Sequence, residues 1–167
     1  MEFKNYPAEK LAIDSVASKL TLEENLFRLR LMDYTINTGS PFNVNNAAPP
    51  ELQDDNVKET AQRLLDKNAI VMDGNGNINF IYPVSALPTH HQVYLQDGRQ
   101  LNAMCAVDAM GTAFTFGQDV KIESKCSRCG ELVYVQIRNG QIVEHSPEDV
   151  HVLHVDLSRT DNWAGSC

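Results

Sequence analysis

The sequence predicts an α+β fold, in which a helical, winged-helix-like module over residues 1–83 precedes a mixed β-sheet core with short helices over residues 84–167. Two observations lead to this prediction. Up to about Pro88 most apolar residues recur at helical spacing, whereas afterwards short strand-like runs flank turn-forming Asp-Gly and Asn-Gly pairs. A chain of 167 residues is also long enough to bury a substantial core in one domain with a small unit attached.

Three helices are predicted in the first half. The first covers residues 8–20 and is weakly amphipathic. The second begins at a capping box formed by Thr21 and Glu24, and leucines then follow on one face. A polar linker over 43–50 leads into the third helix, over 51–67, whose apolar residues again share a face.

A hairpin follows the third helix, with residues 70–72 pairing with 78–82 across a turn at 73–76. Helices followed by a hairpin form a winged-helix-like unit, which typically binds DNA. A helix that faces phosphates should be basic, but the third helix has three basic and five acidic side chains. They are Lys58, Arg63 and Lys67 against Glu51, Asp54, Asp55, Glu59 and Asp66. We therefore interpret the unit as a packing module.

The second half is predicted to be mostly strands, with one short helix at residues 105–110. A hairpin turns at Asp97-Gly98, and another turns at Asn139-Gly140. The predicted strands cover residues 91–95, 100–104, 119–124, 131–137, 141–144 and 150–157.

The composition limits the classes of partner. With 14 basic and 22 acidic residues, the net charge is −8, which argues against nucleic acid or an anionic membrane as the main partner. No apolar run approaches the roughly 18 residues of a membrane span, and the first residues lack the pattern of a signal peptide. We therefore expect a cytoplasmic, reducing location. The four cysteines are then expected to be thiols or metal ligands rather than a disulfide framework.

One pair of residues could carry chemistry at the start of the predicted short helix. Cys105 follows a strand and opens the helix, where free amide N–H groups and the helix dipole favour a thiolate. Asp108 follows three residues later, on nearly the same helix face. The pair could form a small site with a nucleophilic thiol and an acid. Spacing alone favours the other interpretation, a buried core cysteine and an acid that stabilises the helix start.

A second cysteine pair, Cys126 and Cys129, forms a CxxC motif between two predicted strands, which resembles half of a structural zinc site. No second CxxC or suitably spaced histidine pair follows, since His145, His151 and His154 are scattered. A complete zinc ribbon is therefore disfavoured. A redox pair, an accessory soft-metal site and plain structural cysteines remain as alternatives.

The chain resembles the organomercurial (alkylmercury) lyase family. The resemblance rests first on the run LNAMCAVDAM at residues 101–110, in which Cys105 and Asp108 match a CAxD motif of that family. It rests also on the order of the later cysteines. Cys126 matches a cysteine after the next strand, and Cys167 matches a late cysteine. The N-terminal helical module with its hairpin is also similar, so the resemblance covers essentially the whole chain.

This resemblance implies protonolysis of a carbon–mercury bond, giving a hydrocarbon and a thiolate-bound mercuric ion. Cys105 and Cys167 would bind mercury, a soft metal that prefers thiolates, and Asp108 would contact the metal and donate the proton. Cys126 would be structural. No resident cofactor is implied, and external thiols, a mercuric reductase or a thiol carrier would remove the Hg(II) product.

Two features depart from the family pattern. Cys129 has no counterpart there, and it converts the structural cysteine into a CxxC pair that could hold mercury or another soft ion. Family members also carry a second residue, usually cysteine, directly after the late cysteine, whereas this sequence stops at Cys167. We expect that the sequence has been cut short, and the sharper hypothesis is a following UGA codon read as selenocysteine. The nucleotide sequence beyond codon 167 tests it.

Three functions compete at this stage. The leading interpretation is an organomercurial lyase. The second is a non-enzymatic protein that binds mercury or a similar soft metal through the four cysteines on the same fold. A metal-responsive winged-helix regulator is disfavoured by the charge of the third helix. Asp108 distinguishes the first two, because metal binding alone does not need an acid and protonolysis does.

Overall fold

A computed structural model describes residues 15–52 and 56–152, in which helices pack on one continuous antiparallel sheet. The helices are α1 (Leu22–Thr38), α2 (Val57–Asp66) and α3 (Ala106–Phe116). The strands are β1 (Phe42–Asn43), β2 (Ile70–Met72), β3 (Asn77–Ile81), β4 (Val84–Ser85), β5 (His91–Leu95), β6 (Gln100–Ala103), β7 (Val120–Lys125), β8 (Leu132–Arg138) and β9 (Gln141–Ser146). The predicted combination of helices and a sheet is confirmed, but the sheet is not mixed, because all of its pairings among the described residues are antiparallel. Among the described residues, no helix is both long and apolar enough to cross a membrane.

The sheet runs in the order β1-β3-β4-β6-β5-β7-β8-β9, with β2 paired to β3. The predicted hairpins β2–β3, β5–β6 and β8–β9 are all present. Strand β4, which the sequence did not predict, pairs with both β3 and β6 and so joins the first hairpin to the rest of the sheet. Two-residue strands such as β1 and β4 are too short to show an alternating pattern.

Helix α1 forms as its capping box predicts. The Thr21 hydroxyl accepts the Glu24 backbone N–H, and the Glu24 carboxylate accepts the Thr21 backbone N–H at 2.7 Å. The helix ends at Gly39, which takes the left-handed conformation that glycine adopts without strain. Its buried face includes Phe27 and Leu31, which lie in the main core.

Three helix boundaries differ from the sequence prediction. Within the described part of 8–20, only a short 3-10 turn forms at Val16–Lys19, because Leu20 must be extended to lead into the cap of α1. The third helix starts at Val57 rather than at 51, because Asn56 caps it and a separate 3-10 turn occupies Pro50–Leu52. Helix α3 continues well past 110, to a left-handed Gly117, since its second half also packs on the sheet.

The last predicted strand, 150–157, is not present in the residues that can be examined. Residues 150–152 have no regular structure, and 153–157 lie outside the described residues. Strand β9, which comes before them, has exposed side chains throughout. The other long strands of the second half match their predicted positions within two residues.

The packing of α3 positions the candidate site. Its buried face consists of the small residues Ala109, Thr112 and Ala113, which let the helix axis approach strands β5, β6 and β7 closely. The Thr112 hydroxyl donates to the Ala109 carbonyl, so no polar group of this face is left without a partner in the core. The packing therefore fixes α3 against the sheet.

Candidate active site

Cys105 lies at the junction between strand β6 and helix α3. It is the N-cap residue, with extended backbone angles of φ −145° and ψ 179°, and its carbonyl accepts the backbone N–H of Ala109 at 2.9 Å. The side chain makes no capping hydrogen bond to the helix backbone. The strand-to-helix position predicted for Cys105 is therefore correct, and the positive end of the helix dipole lies beside the thiol.

The thiol of Cys105 contacts the carboxyl group of Asp108. The Cys105 Sγ–H donates to Asp108 Oδ2 at 3.2 Å, and both side chains are half-buried. Asp108 lies in the first turn of α3, three residues after the cap, as the sequence spacing predicts. A thiol and a carboxyl group in direct contact can exchange a proton without rearrangement, which is what an acid–base site requires.

The half-buried His91 lies at the start of β5. This strand runs between β6, which leads into Cys105, and β7, which leads into Cys126. The His91 Nδ1 lies 2.8 Å from Ser124 Oγ, across the β5–β7 pairing. Burial, followed by the neighbouring His90, lowers the pKa of His91, so its neutral form is favoured. From the sequence, His90 and His91 are interpreted as solvated or capping histidines, which does not predict the half-buried contact of His91 with Ser124. The signal that could have found it is the alternation along β5, which places His91 on the same face as the buried Val93 and Leu95.

The CxxC motif forms a tight turn between β7 and β8. Cys126 is half-buried and Cys129 is exposed, and neither is in a disulfide. Hydrogen bonds from the backbone N–H groups of Cys129 and Arg128, and then from the Cys129 thiol, lower the pKa of Cys126. The Cys129 Sγ is 4.0 Å from Glu131 Oε2. The two thiols thus form a local pair.

The other candidate residues are not brought to these cysteines. Cys167 and His154 lie outside the described residues. The rings of His145 and His151 contact nearby backbone carbonyls, those of Pro147 and Asp149. Within residues 15–52 and 56–152, no three cysteine, histidine or acidic side chains are grouped so that they could hold a metal ion. A complete four-ligand zinc site is therefore absent from the described part of the chain.

The sequence and the fold both match known proteins. The family model for alkylmercury lyase, MerB, matches residues 84–167, which is half of the chain and includes the β6–α3 junction. The chain belongs to the alkylmercury lyase family. Curated alkylmercury lyases of Bacillus cereus and Clostridium butyricum are each 30% identical to it over 91 residues.

The similarity to members of the alkylmercury lyase family is partial in length. The segment matched to the two bacterial enzymes is 54% of this chain and 41% of each relative. A crystal structure of the mercury-bound form of MerB2 is 25% identical and superposes with a TM-score of 0.58, over 80% of this chain and 64% of that one. The structural likeness therefore extends further along the chain than the family model does.

Proposed function

We propose that this protein is an organomercurial lyase that cleaves carbon–mercury bonds by protonolysis. The observation that carries the proposal is the 3.2 Å contact between the Cys105 thiol and the Asp108 carboxyl group at the start of α3. Membership of the alkylmercury lyase family and the likeness to a mercury-bound structure support it. We infer that the substrate is a small organomercurial and that no resident cofactor is needed.

The first step binds mercury. The Cys105 thiol transfers its proton to Asp108, and the resulting thiolate displaces the ligand opposite the organic group on mercury. The helix start stabilises the thiolate, and the soft metal favours sulfur. The proton is retained at Asp108, beside the metal, instead of being lost to water.

The second step breaks the carbon–mercury bond. Following the sequence resemblance, we assign Cys167 as the second thiolate. Its thiol gives its proton to the ligand displaced in the first step, which leaves, and its donation to mercury weakens the bond to carbon. Asp108 then delivers its proton to carbon, because a carbanion is too poor a leaving group to depart alone. The carbon–mercury bond's electron pair goes to the new C–H bond, and Hg(II) stays on the two thiolates.

Release of benzene from phenylmercury, in the presence of excess thiol, tests this proposal. We expect turnover by the wild-type chain, and we expect Cys105→Ala or Cys167→Ala to abolish it while the circular dichroism spectrum is unchanged. Each variant removes one of the two thiolates that activate the bond. Substantial benzene release by Cys105→Ala would disprove the assigned pair.

The same assay separates a lyase from a non-enzymatic binding protein. A chain that retains mercury tightly but releases no benzene would be a soft-metal binding protein on the same fold. The close contact of Asp108 with the thiol favours the lyase, because a binding site for a soft cation gains little from a carboxyl group that holds a proton.

We also propose the finer organisation predicted from the sequence. Residues 1–83 would form a winged-helix-like packing module and 84–167 the catalytic core, in a cytoplasmic protein. External thiols, a thiol carrier or a mercuric reductase would take the Hg(II) product. In support of a packing role, Arg63 and Lys67 both engage the buried carboxylate of Glu24 on α1.

A further inference from the structure

The Cys126–Cys129 turn has the geometry of a preformed dithiol. The Cys126 backbone N–H donates to the Glu131 carbonyl, the Gly130 N–H donates to the Cys126 carbonyl, and both distances are 2.8 Å. Gly130 has φ +75°, a conformation that side chains disfavour, and it lets the chain reverse directly after Cys129. The Cys129 thiol donates a hydrogen bond to the Cys126 sulfur, so the closed turn holds the two sulfurs close together, with Cys129 exposed.

The register of the sheet places this pair near Cys105. Gln92 of β5 lies opposite Asn102 of β6 and opposite Glu123 of β7, so β6 and β7 run in the same direction on either side of β5. Cys105 comes three residues after Asn102, and Cys126 comes three residues after Glu123. Both therefore emerge at the same edge of the sheet, on strands separated by two strand spacings, which is about 10 Å.

We propose that Cys126 and Cys129 form a second binding site for Hg(II), which accepts the ion released from Cys105. Two thiolates satisfy a soft ion such as Hg(II), whereas zinc requires about four ligands. The Glu131 carboxylate lies 4.0 Å from Cys129 Sγ, but it is a hard oxygen donor, and among the described residues no three side chains form a metal-binding group, so the pair suits a soft ion of low coordination number. The binding site stands on its own geometry, and the transfer rests on the proposed lyase function.

The transfer is a ligand exchange with no change of oxidation state. The Cys126 and Cys129 thiols lose two protons as two Hg–S bonds form. The two Hg–S bonds to the catalytic cysteines break, and those thiolates take up two protons. The exposure of Cys129 gives an external thiol access to the ion in its new position. The active site is then ready for another substrate molecule.

Binding is tested without any lyase activity. The Cys105→Ala chain is mixed with one equivalent of mercuric chloride and an excess of glutathione, then desalted, and its mercury is measured by mass spectrometry. We expect one retained ion per chain, and loss of that ion in Cys105→Ala/Cys129→Ser. Because a second linked ligand raises affinity by roughly 10²–10⁴-fold, the apparent affinity should fall by about that much.

Two controls accompany this measurement. Cys105→Ala/Ser127→Ala changes the same turn but leaves both sulfurs, and it should retain mercury like Cys105→Ala. Zinc chloride in place of mercuric chloride should leave no metal on the protein. Equal mercury retention by Cys105→Ala/Cys129→Ser, or no retention by Cys105→Ala, would overturn the site.

Transfer is tested with the wild-type chain and one equivalent of phenylmercury. After benzene release is complete, the protein is alkylated with iodoacetamide and digested with trypsin, which separates Cys126 from Cys129 by cleavage after Arg128. We expect both cysteines to be protected while Cys105 becomes reactive again. Full alkylation of Cys126 and Cys129 with complete benzene release would disprove transfer. An absence of benzene would instead disprove the lyase function and leave the mercuric chloride result to decide the site.

Discussion

At the scale of single residues, the proposed reaction depends on a hydrogen bond between two groups that can each hold one proton. Cys105 Sγ and Asp108 Oδ2 are 3.2 Å apart. For mercury to bind, the thiol must lose its proton, and for the carbon–mercury bond to break, a proton must reach carbon. In the proposed reaction Asp108 accepts the proton from the thiol and supplies it to carbon, so one carboxyl group serves both steps.

Replacing Asp108 by asparagine should separate mercury binding from turnover. Asp108→Asn has a similar shape and leaves the thiols in place, so Hg(II) should still bind, but the amide cannot cycle a proton. General acid catalysis typically contributes about 10²–10⁴-fold, so benzene release should fall by about that factor. The measurement is benzene release and mercuric-ion retention by the same variant.

A charge-matched control for this variant is Asp66→Asn, at the exposed end of α2, which removes the same charge away from Cys105. It should keep wild-type turnover. Equal loss of binding and turnover in Asp108→Asn would show that Asp108 organises the site or ligates mercury. Unchanged turnover would show that another group supplies the proton.

At the scale of elements, helices α1 and α2 are joined by one buried carboxylate. Glu24, only 2% exposed, lies 2.6 Å from Lys67 Nζ and 3.4 Å from Arg63 Nε, while it also completes the capping box of α1. The hydrogen bond from Lys67 is the main cause of the lowered pKa of Glu24. The sequence predicted the cap but not the ion pairs, because Lys67 and Arg63 come close only through packing of the two helices.

Glu24→Gln should destabilise the fold in a pH-dependent way. Glutamine can still cap the helix, but it cannot pair with Lys67 and Arg63. The free energy of unfolding at neutral pH should fall by about 2 kcal/mol, between the values typical of exposed and of fully buried pairs. Because the folded pKa of Glu24 is lowered, this contribution is present above the unfolded pKa and is lost as pH falls through the folded pKa.

Urea denaturation at neutral pH and at stepwise lower pH measures this difference. The gap between wild type and Glu24→Gln should narrow on acidification, whereas the control Glu23→Gln, which alters an exposed neighbour in the same turn, should stay close to wild type throughout. A gap that is constant with pH would show that the effect of Glu24 does not depend on its charge.

The turn between β7 and β8 gives a second prediction about an element. The Cys126 sulfur accepts hydrogen bonds from the backbone N–H groups of Arg128 and Cys129. Cys126→Ala removes the acceptor, and the free energy of unfolding should fall. Thermal unfolding of Cys126→Ala beside Ser127→Ala, which should behave like wild type, measures this loss. Equal midpoints for the two variants would show that the sulfur has no structural role.

The elements also show which parts of the fold the sequence could predict. Local signals were sufficient for the start of α1, with its capping box, and for the three hairpins with turn-forming glycines. They were misleading for α2, where Asn56 and Glu59 form a cap within the span assigned to the helix. The local signals also predicted an α3 that is too short. Its second half is stabilised by packing on the sheet and not by a regular spacing of apolar residues in the sequence.

At the scale of the whole molecule, the order of strands decides which distant residues meet. The CAxD spacing predicted the contact of Cys105 with Asp108, since both lie on one turn of helix. The sequence did not predict that β5 would lie between β6 and β7, which brings Cys105 and Cys126 to one edge of the sheet. The proximity of Cys105 and Cys126 depends on the pairing of strands that are distant in the sequence, and local sequence patterns do not reveal such pairing.

Part of the chain before residue 84 is similar in structure to a family member, although the family model does not match its sequence. The family model matches only from residue 84 onwards, whereas the likeness to the mercury-bound MerB2 structure covers 80% of this chain. The shared structure must therefore include residues before 84. Apolar packing tolerates many substitutions that keep volume and pattern, so a scaffold can diverge in sequence while the segment with the CAxD motif remains recognisable.

We predict that this scaffold does not bind DNA selectively. Within its observed bounds α2 carries Lys58 and Arg63 against Glu59 and Asp66 and is neutral, rather than negative as the longer predicted helix would be. Its Arg63 is also paired with Glu24 and Glu59. The β2–β3 hairpin has no basic residue, and the chain has a net charge of −8. The electrostatic attraction between this protein and DNA phosphates should therefore be weak.

Fluorescence anisotropy with a pool of random duplexes, followed by selection and sequencing of any bound fraction, measures this property at physiological salt. We expect a Kd weaker than about 10⁻⁴ M, the weak end of ordinary non-specific binding, and no enriched sequence. Glu24→Gln is a useful comparison, because it frees Lys67, leaves Arg63 paired with Glu59 alone, and should strengthen binding slightly without adding selectivity. An enriched sequence bound by the wild-type chain would contradict the packing role and favour a metal-responsive regulator, since selective contacts would then overcome an unfavourable charge.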